Sequence, residues 1–138
     1  MGPKLSISVD PKGDSTPSEQ LASQVRFAIA SGVLAPGERL PSVRQLAVDA
    51  LVNPNTVGKV WRELEREGVL ETRPGDGVFV ASGALSRCRA ARDLELSERL
   101  RVWLADARRA GLSSDQVTEL FERLARARSV TQRTGGQR

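Results

Sequence analysis

Residues 40–68 read LPSVRQLAVDALVNPNTVGKVWRELEREG, and this stretch opens two helices in quick succession. Ser42 followed by Gln45 is a capping-box pattern: the cap hydroxyl and the third helical side chain answer amides that the first turn leaves unpaired. Asn53 followed by Pro54 is a second start, with an amide side chain at the cap and proline where no amide is needed. The helix between them buries Val43, Leu46, Ala47 and Ala50 and exposes Arg44 in its first turn. Two short helices joined by three or four residues, the second with a polar first turn, predict a helix-turn-helix.

The second of these helices separates its faces. Val57, Val60, Trp61 and Leu64 recur at three- and four-residue spacing, and Asn55, Lys59, Arg62 and Arg66 fall on the opposite stripe. Asparagine makes paired hydrogen bonds to adenine, Thr56 can touch a base edge or a thymine methyl, and lysine or arginine reaches guanine or phosphate. The polar stripe therefore suits a major groove. Trp61 lies between apolar neighbours and is assigned to the core. Glu63, Glu65 and Glu67 would repel phosphate, so only the N-terminal half of the helix is expected to enter a groove.

Working outward, Gly68 ends that helix. Residues 69–73 and 78–80, around Pro74-Gly75-Asp76-Gly77, predict a β-hairpin, which directly after a helix-turn-helix is a wing. Its tip is placed to follow the minor groove or the backbone, with small residues at Gly75 and Gly77 and charge at Arg73. On the N-terminal side, Thr16-Pro17-Ser18-Glu19 starts a helix whose buried face is Leu21, Ala22, Val25, Ala28 and Ile29. Gly32 stops it, and Val33 and Leu34 are expected to plug the core. Leu5-Ser6-Ile7-Ser8-Val9 alternates with period two and predicts a short half-buried strand.

The whole chain has 138 residues, 39% of them hydrophobic, enough for one modest core and a small appendage. Its net charge is +4, but the charge is unevenly placed. Residues 1–83 hold 9 Lys+Arg against 10 Asp+Glu, and residues 84–138 hold 12 against 7. The predicted reading head is thus not basic, and a DNA assignment has to rest on placed side chains. The bulk positive charge lies in the tail, where it is read as a solvated face. Without a bilayer-spanning apolar run or the apolar block of a signal peptide, the sequence predicts a soluble, cytoplasmic protein with no membrane partner. Cys88 is the only cysteine and there is no histidine. Those counts exclude an intramolecular disulfide framework and a thiolate zinc cage, and remove the commonest general base. No nucleophile-and-base spacing stands out, so no enzyme, metal or cofactor is expected.

Beyond the wing, Ala84 to Ala110 reads as one long helix with Leu85, Cys88, Ala91, Leu96, Leu100, Trp103, Leu104 and Ala107 as its apolar positions. Gly111-Leu112 breaks it, and Ser113-x-x-Gln116 caps a second helix with a Val117, Leu120, Phe121, Leu124 stripe. Two amphipathic helices cannot close a core alone, so they must pack on the head, on a second copy, or on both. Residues 129–138 are expected to be a disordered tail. Cys88 is read as a small buried residue of the long helix.

Gly32-x-Leu34-x-Pro36-Gly37-x-x-Leu40-Pro41-Ser42-x-Arg44-x-Leu46-Ala47, Asn53-x-x-Thr56-Val57, Leu64-Glu65-x-Glu67-Gly68 and Gly75-x-Gly77-x-Phe79-Val80 together resemble the winged helix-turn-helix of GntR-family bacterial transcription regulators, over about residues 16–81. The resemblance implies DNA contacts at Arg44, Asn53, Asn55, Thr56, Lys59, Arg73, Gly75 and Gly77, to which the stripe adds Arg62. It departs at Leu51, where the family often has glycine, implying a strained turn, and at Asp76, where the family often has a basic wing residue, implying a weaker phosphate contact. The short tail resembles the YtrA-like subfamily, whose C-terminal helices serve dimerisation, which here would use Leu96, Leu100, Trp103, Leu104, Leu120, Phe121 and Leu124.

The fold expected is therefore mostly α with a small β-hairpin: a winged helix-turn-helix over residues 1–83, a two-helix dimerisation segment over 84–128, and the tail. The function expected is a homodimeric regulator, a repressor on a near-palindromic double-stranded operator, with transporter genes as the targets the subfamily implies and no effector marked. The alternative is a winged-helix module that binds another protein, supported by the Glu63–Glu67 cluster.

Overall fold

The capping signals set the helix starts in the computed structural model, which describes residues 5–135. Helix α1 (Pro17–Ala30) opens at Thr16. Its hydroxyl accepts from the Glu19 amide at 3.2 Å, and the Glu19 carboxylate accepts from the Thr16 amide at 3.0 Å. Helix α2 (Val43–Ala50) opens at Ser42, which accepts from the Gln45 amide at 3.1 Å. The expected reciprocal bond is replaced, because the Gln45 side chain turns along the exposed helix face to Asp49 at 2.9 Å. Helix α3 (Pro54–Arg66) is capped by Asn53, and the hairpin strands β1 (Leu70–Arg73) and β2 (Gly77–Val80) pair antiparallel, Leu70 opposite Val80 and Arg73 opposite Gly77. Helices α4 (Ala84–Arg109) and α5 (Ser114–Gly135) follow. Among the described residues the architecture is five helices and a two-stranded hairpin, mostly α as the pattern of elements predicts.

The chain divides into two compact units, Met1–Glu95 and Leu96–Arg138. In the first, Leu21, Val25, Ile29, Leu46, Val57, Val60, Leu64 and Val80 are fully buried, drawing α1, α2, α3 and the hairpin onto one core. The first turns of α4 belong to that core, since Ala84 and Cys88 have no exposed surface. Two polar contacts hold the same stretch of α4: the Ser23 hydroxyl donates to the Glu95 carboxylate at 2.9 Å, and Arg89 Nε donates to the Ala30 carbonyl at 3.4 Å. The division therefore falls inside α4, between Glu95 and Leu96, rather than at the wing's end.

Two local readings are corrected by the structure. Residues 5–9 keep the alternation, with Leu5 and Ile7 buried and Ser6 and Ser8 exposed, but they form no strand. The reason is their partner. Gln24 and Gln20, one turn apart on α1, pair with this segment through side chains: Gln24 with the Ser8 amide and carbonyl (3.1 and 2.7 Å), Gln20 with those of Asp10 (2.8 and 2.7 Å). A helix edge thus stands in for a neighbouring strand. Val33 stays 42% exposed and only Leu34 fills the core, because residues 31–33 leave α1 in a turn that swings Val33 outward. Residues 37–40 line the wing as a third edge, Gly37 and Leu40 donating to Val80 and Val78 at 2.8 Å and Val80 donating to Glu38 at 2.8 Å. The backbone of α5 runs helical to Gly135, past residue 129 where the tail is expected to begin, and residues 136–138 lie outside the described residues.

The helix ends share one device. At α3 and α4 the chain leaves through a left-handed glycine, Gly68 (φ 77°) and Gly111 (φ 89°), and the next residue donates back across the last turn, Val69 to Leu64 (2.9 Å) and Leu112 to Ala107 (3.0 Å). At α2 the same pattern, with Val52 donating to Ala47 at 3.0 Å, is closed by Leu51 at φ 55°, ψ 45°. A branched-chain residue there carries steric strain of roughly 1 kcal/mol. No packing offsets it, since Leu51 is 90% exposed.

Candidate nucleic-acid interface

Helix α3 is anchored from one side only. Val57, Val60 and Leu64 are fully buried and Trp61 nearly so, which fixes the helix rotation. Asn55, Lys59 and Arg62 consequently face solvent along one line, with Thr56 half-buried at its edge. Gly58 lies in the same line. A glycine inside a helix is about 1 kcal/mol less favourable than alanine.

Asn53 is engaged in folding: its Oδ1 accepts from the Asn55 amide at 2.8 Å, closing the first turn of α3. Its amide NH2 and the second lone pair of Oδ1 remain for an outside partner. Arg44 is exposed in the first turn of α2, and among the described residues no carboxylate lies within ion-pair distance of Arg44, Arg62 or Arg39. Lys59 is only loosely held, its Nζ 4.0 Å from Glu63. These cations are thus free to meet phosphate or base edges.

The acidic end of α3 is partly neutralised. Glu67 receives a forked contact from Arg26 of α1, Nη2 to Oε1 at 2.7 Å and Nε to Oε2 at 3.2 Å. That pair ties α1 to the end of α3 and removes one of three carboxylates from the helix's repulsive end.

In the wing, the Arg73 guanidinium sits 4.1 Å from the Phe79 ring centre and 3.8 Å from Glu71. Gly75 and Asp76 form the exposed tip, where the Asp76 amide donates to the Arg73 carbonyl at 2.9 Å. Gly77 has φ 125°, a conformation side chains rarely adopt, and a Cβ there would meet Arg39 Nε at 2.9 Å. Gly77 therefore seats Arg39 against the hairpin. Sequence reasoning missed Arg39 because its pairing partner, Phe79, is forty residues away; the only local signal was the exposed arginine beside buried Leu40.

Cys88 lies under this head, inaccessible to solvent. Burial pushes its thiol above the ordinary value of 9.0, the Arg26 guanidinium opposes the shift, and Glu67 adds to it. The expected dimerisation residues all lie in the second unit. Leu96, Leu100, Trp103, Phe121 and Leu124 are exposed, and Leu104 and Leu120 are half-buried. Among the described residues no helix is long and apolar enough to cross a membrane.

Comparison with known proteins agrees with this geometry. Residues 17–80 match the sequence model of a family described as "Bacterial regulatory proteins, gntR family". The chain is 34% identical to the HTH-type transcriptional repressor YtrA of Bacillus subtilis over 86% of its own length and 92% of the relative's. Among solved structures, a transcriptional regulator from Oenococcus oeni superposes with a TM-score of 0.66 at 26% identity, covering 85% of this chain and 97% of that one. YtrA of Sulfolobus acidocaldarius superposes with a TM-score of 0.53 at 28% identity, covering 88% and 97%.

Proposed function

The chain belongs to the GntR family of bacterial regulatory proteins, transcription regulators rather than enzymes, and from that premise we propose that it is a homodimeric, sequence-specific repressor acting on a near-palindromic operator in double-stranded DNA. The observation that carries this reading is the open stripe of α3. Asn55, Lys59 and Arg62 project from a helix whose opposite face is locked in the core, so the groups that match base edges and phosphates are held in a fixed array. Arg44 flanks this array from α2, and Arg73, Gly75 and Gly77 extend it along the wing. Asn53 acts chiefly by shaping the first turn of α3.

A single head with a net charge near zero touches few base pairs and gains little from bulk electrostatics, and the relative similar over most of its length is itself a repressor. Two heads related by a two-fold axis double the reading, and the open apolar face of the second unit supplies the surface for pairing. Occlusion of a promoter by such a dimer makes it a repressor. Transporter genes as targets follow from the YtrA-like resemblance. Action on DNA places the protein in the cytoplasm. The alternative of a protein-binding module drew on the acidic end of α3, and the Arg26–Glu67 pair gives one of those carboxylates a structural task instead.

Selection of bound sequences from a random duplex pool, followed by footprinting of the recovered site, tests the reading. A symmetric protected site is expected, with affinity falling steeply as salt rises and dropping about a hundredfold or more in the Asn55→Ala, Lys59→Ala double variant. Weak binding to every duplex alike would sink it.

A further inference from the structure

Gly58 is the residue of α3 that the fold leaves unexplained. It lies in the interior of a regular helix, where glycine is the least favoured residue short of proline. Its φ is not in the left-handed region, so no backbone conformation demands it. Nor does close packing. A Cβ built at Gly58 meets only the Arg62 Nη1, at 3.5 Å, an ordinary van der Waals contact with the end of a flexible side chain. By contrast, Gly77 both has a positive φ and would drive a Cβ to 2.9 Å from Arg39. The fold therefore accepts alanine at 58 and gains helix propensity from it.

What singles out Gly58 is its position. It is one turn from Asn55 and one turn from Arg62, in the line of side chains that faces away from the core. A helix that lacks a side chain on its outward face presents bare backbone there, and glycine at such a point permits the close approach of a ligand that any Cβ would hold off. We infer that Gly58 is a specificity-determining position, at which the α3 backbone comes within contact distance of a base-pair edge in the major groove. The inference rests on the reading of α3 as the DNA-reading helix. It adds that one position of the half-site is discriminated by shape: a base edge seated against Gly58 is excluded by any Cβ. The Arg62 guanidinium, lying back beside Gly58, is carried along the helix toward its N-terminal half and so toward the same base pairs.

The test uses the full chain and its selected duplex. Gly58→Ala is expected to raise the melting temperature by about 4 °C, since helix propensity improves and nothing clashes. The same variant is expected to bind the parental site about tenfold more weakly, Gly58→Leu more weakly still, and selection with Gly58→Ala to recover a half-site altered at one position. A higher melting temperature with unchanged affinity and an unchanged half-site would overturn the inference, as would a variant whose only change is in self-association. If the parental protein selects no preferred sequence, the DNA reading itself fails and the inference falls with it. That outcome is distinct, because it appears before any variant is made.

Discussion

The two units of this chain treat their apolar residues in opposite ways. Up to Glu95, most large apolar side chains are buried around α1, α3 and the hairpin, with Val33, Val48, Leu51 and Leu94 as the exceptions. From Leu96 onward, Leu96, Leu100, Val102, Trp103, Phe121 and Leu124 stay 40–64% exposed, and among the described residues of this unit Ala107 alone is a buried apolar residue. The cause is geometric. A head of three helices and a hairpin closes around a common interior, whereas two helices in a hairpin share one seam and leave the flanks of their apolar stripes uncovered. A single continuous helix, α4, belongs to both regimes, with Cys88 sealed in the head and Leu100 open in the tail. The head is thus complete by itself, and the tail carries surface that asks for a partner.

The largest expected effect breaks that contrast from the tail side. Leu100→Asp combined with Phe121→Asp should leave the melting of the head unchanged while sedimentation shows a monomer, and operator affinity should fall about a hundredfold as the two heads lose their mutual effective concentration. A dimer that survives would move assembly to another surface.

A smaller effect sharpens the contrast inside the head, where Leu51 is an exposed apolar residue held in a strained turn. Leu51→Gly should raise stability in chemical denaturation by up to roughly 0.5 kcal/mol, the relief of left-handed strain exceeding the extra freedom of glycine in the unfolded chain. Loss of stability would show that the side chain supports the turn.

The smallest effect probes where the head ends on α4. Because burial raises the Cys88 thiol above 9.0, the neutral form stabilises the fold below that pH, and the contribution is lost as pH climbs toward the folded value. Native protein should therefore react slowly with alkylating reagents, and Cys88→Ala should flatten the alkaline fall in stability. Fast alkylation at neutral pH would place Cys88 with the open tail.

Much of the fold was legible because its signals are local. Thr16, Ser42, Asn53 and Ser113 each cap a helix by contacts within three residues, and the apolar spacing of Val57, Val60, Trp61 and Leu64 fixes which side of α3 is buried. The strain at Leu51 was legible as well, from a missing glycine, and the backbone does adopt a left-handed conformation there. What the sequence hid depends on distant partners. Residues 5–9 carry a strand's alternation but meet helix glutamines, Arg39 becomes a wing residue only through Val78, Phe79 and Val80, and α4 divides at Glu95 because Ser23 and the head core claim its first turns.

The candidate site divides along the same line. Sequence by itself determined helix α3, its exposed stripe of Asn55, Lys59 and Arg62, and the hairpin that follows, because periodicity and capping act over one or two turns. Only the tertiary structure decided that Glu67 is held by Arg26, that Arg39 rests on Gly77, and that no packing inside the chain demands Gly58. Each of those depends on which atoms meet across the core, and a spacing along the chain does not record it.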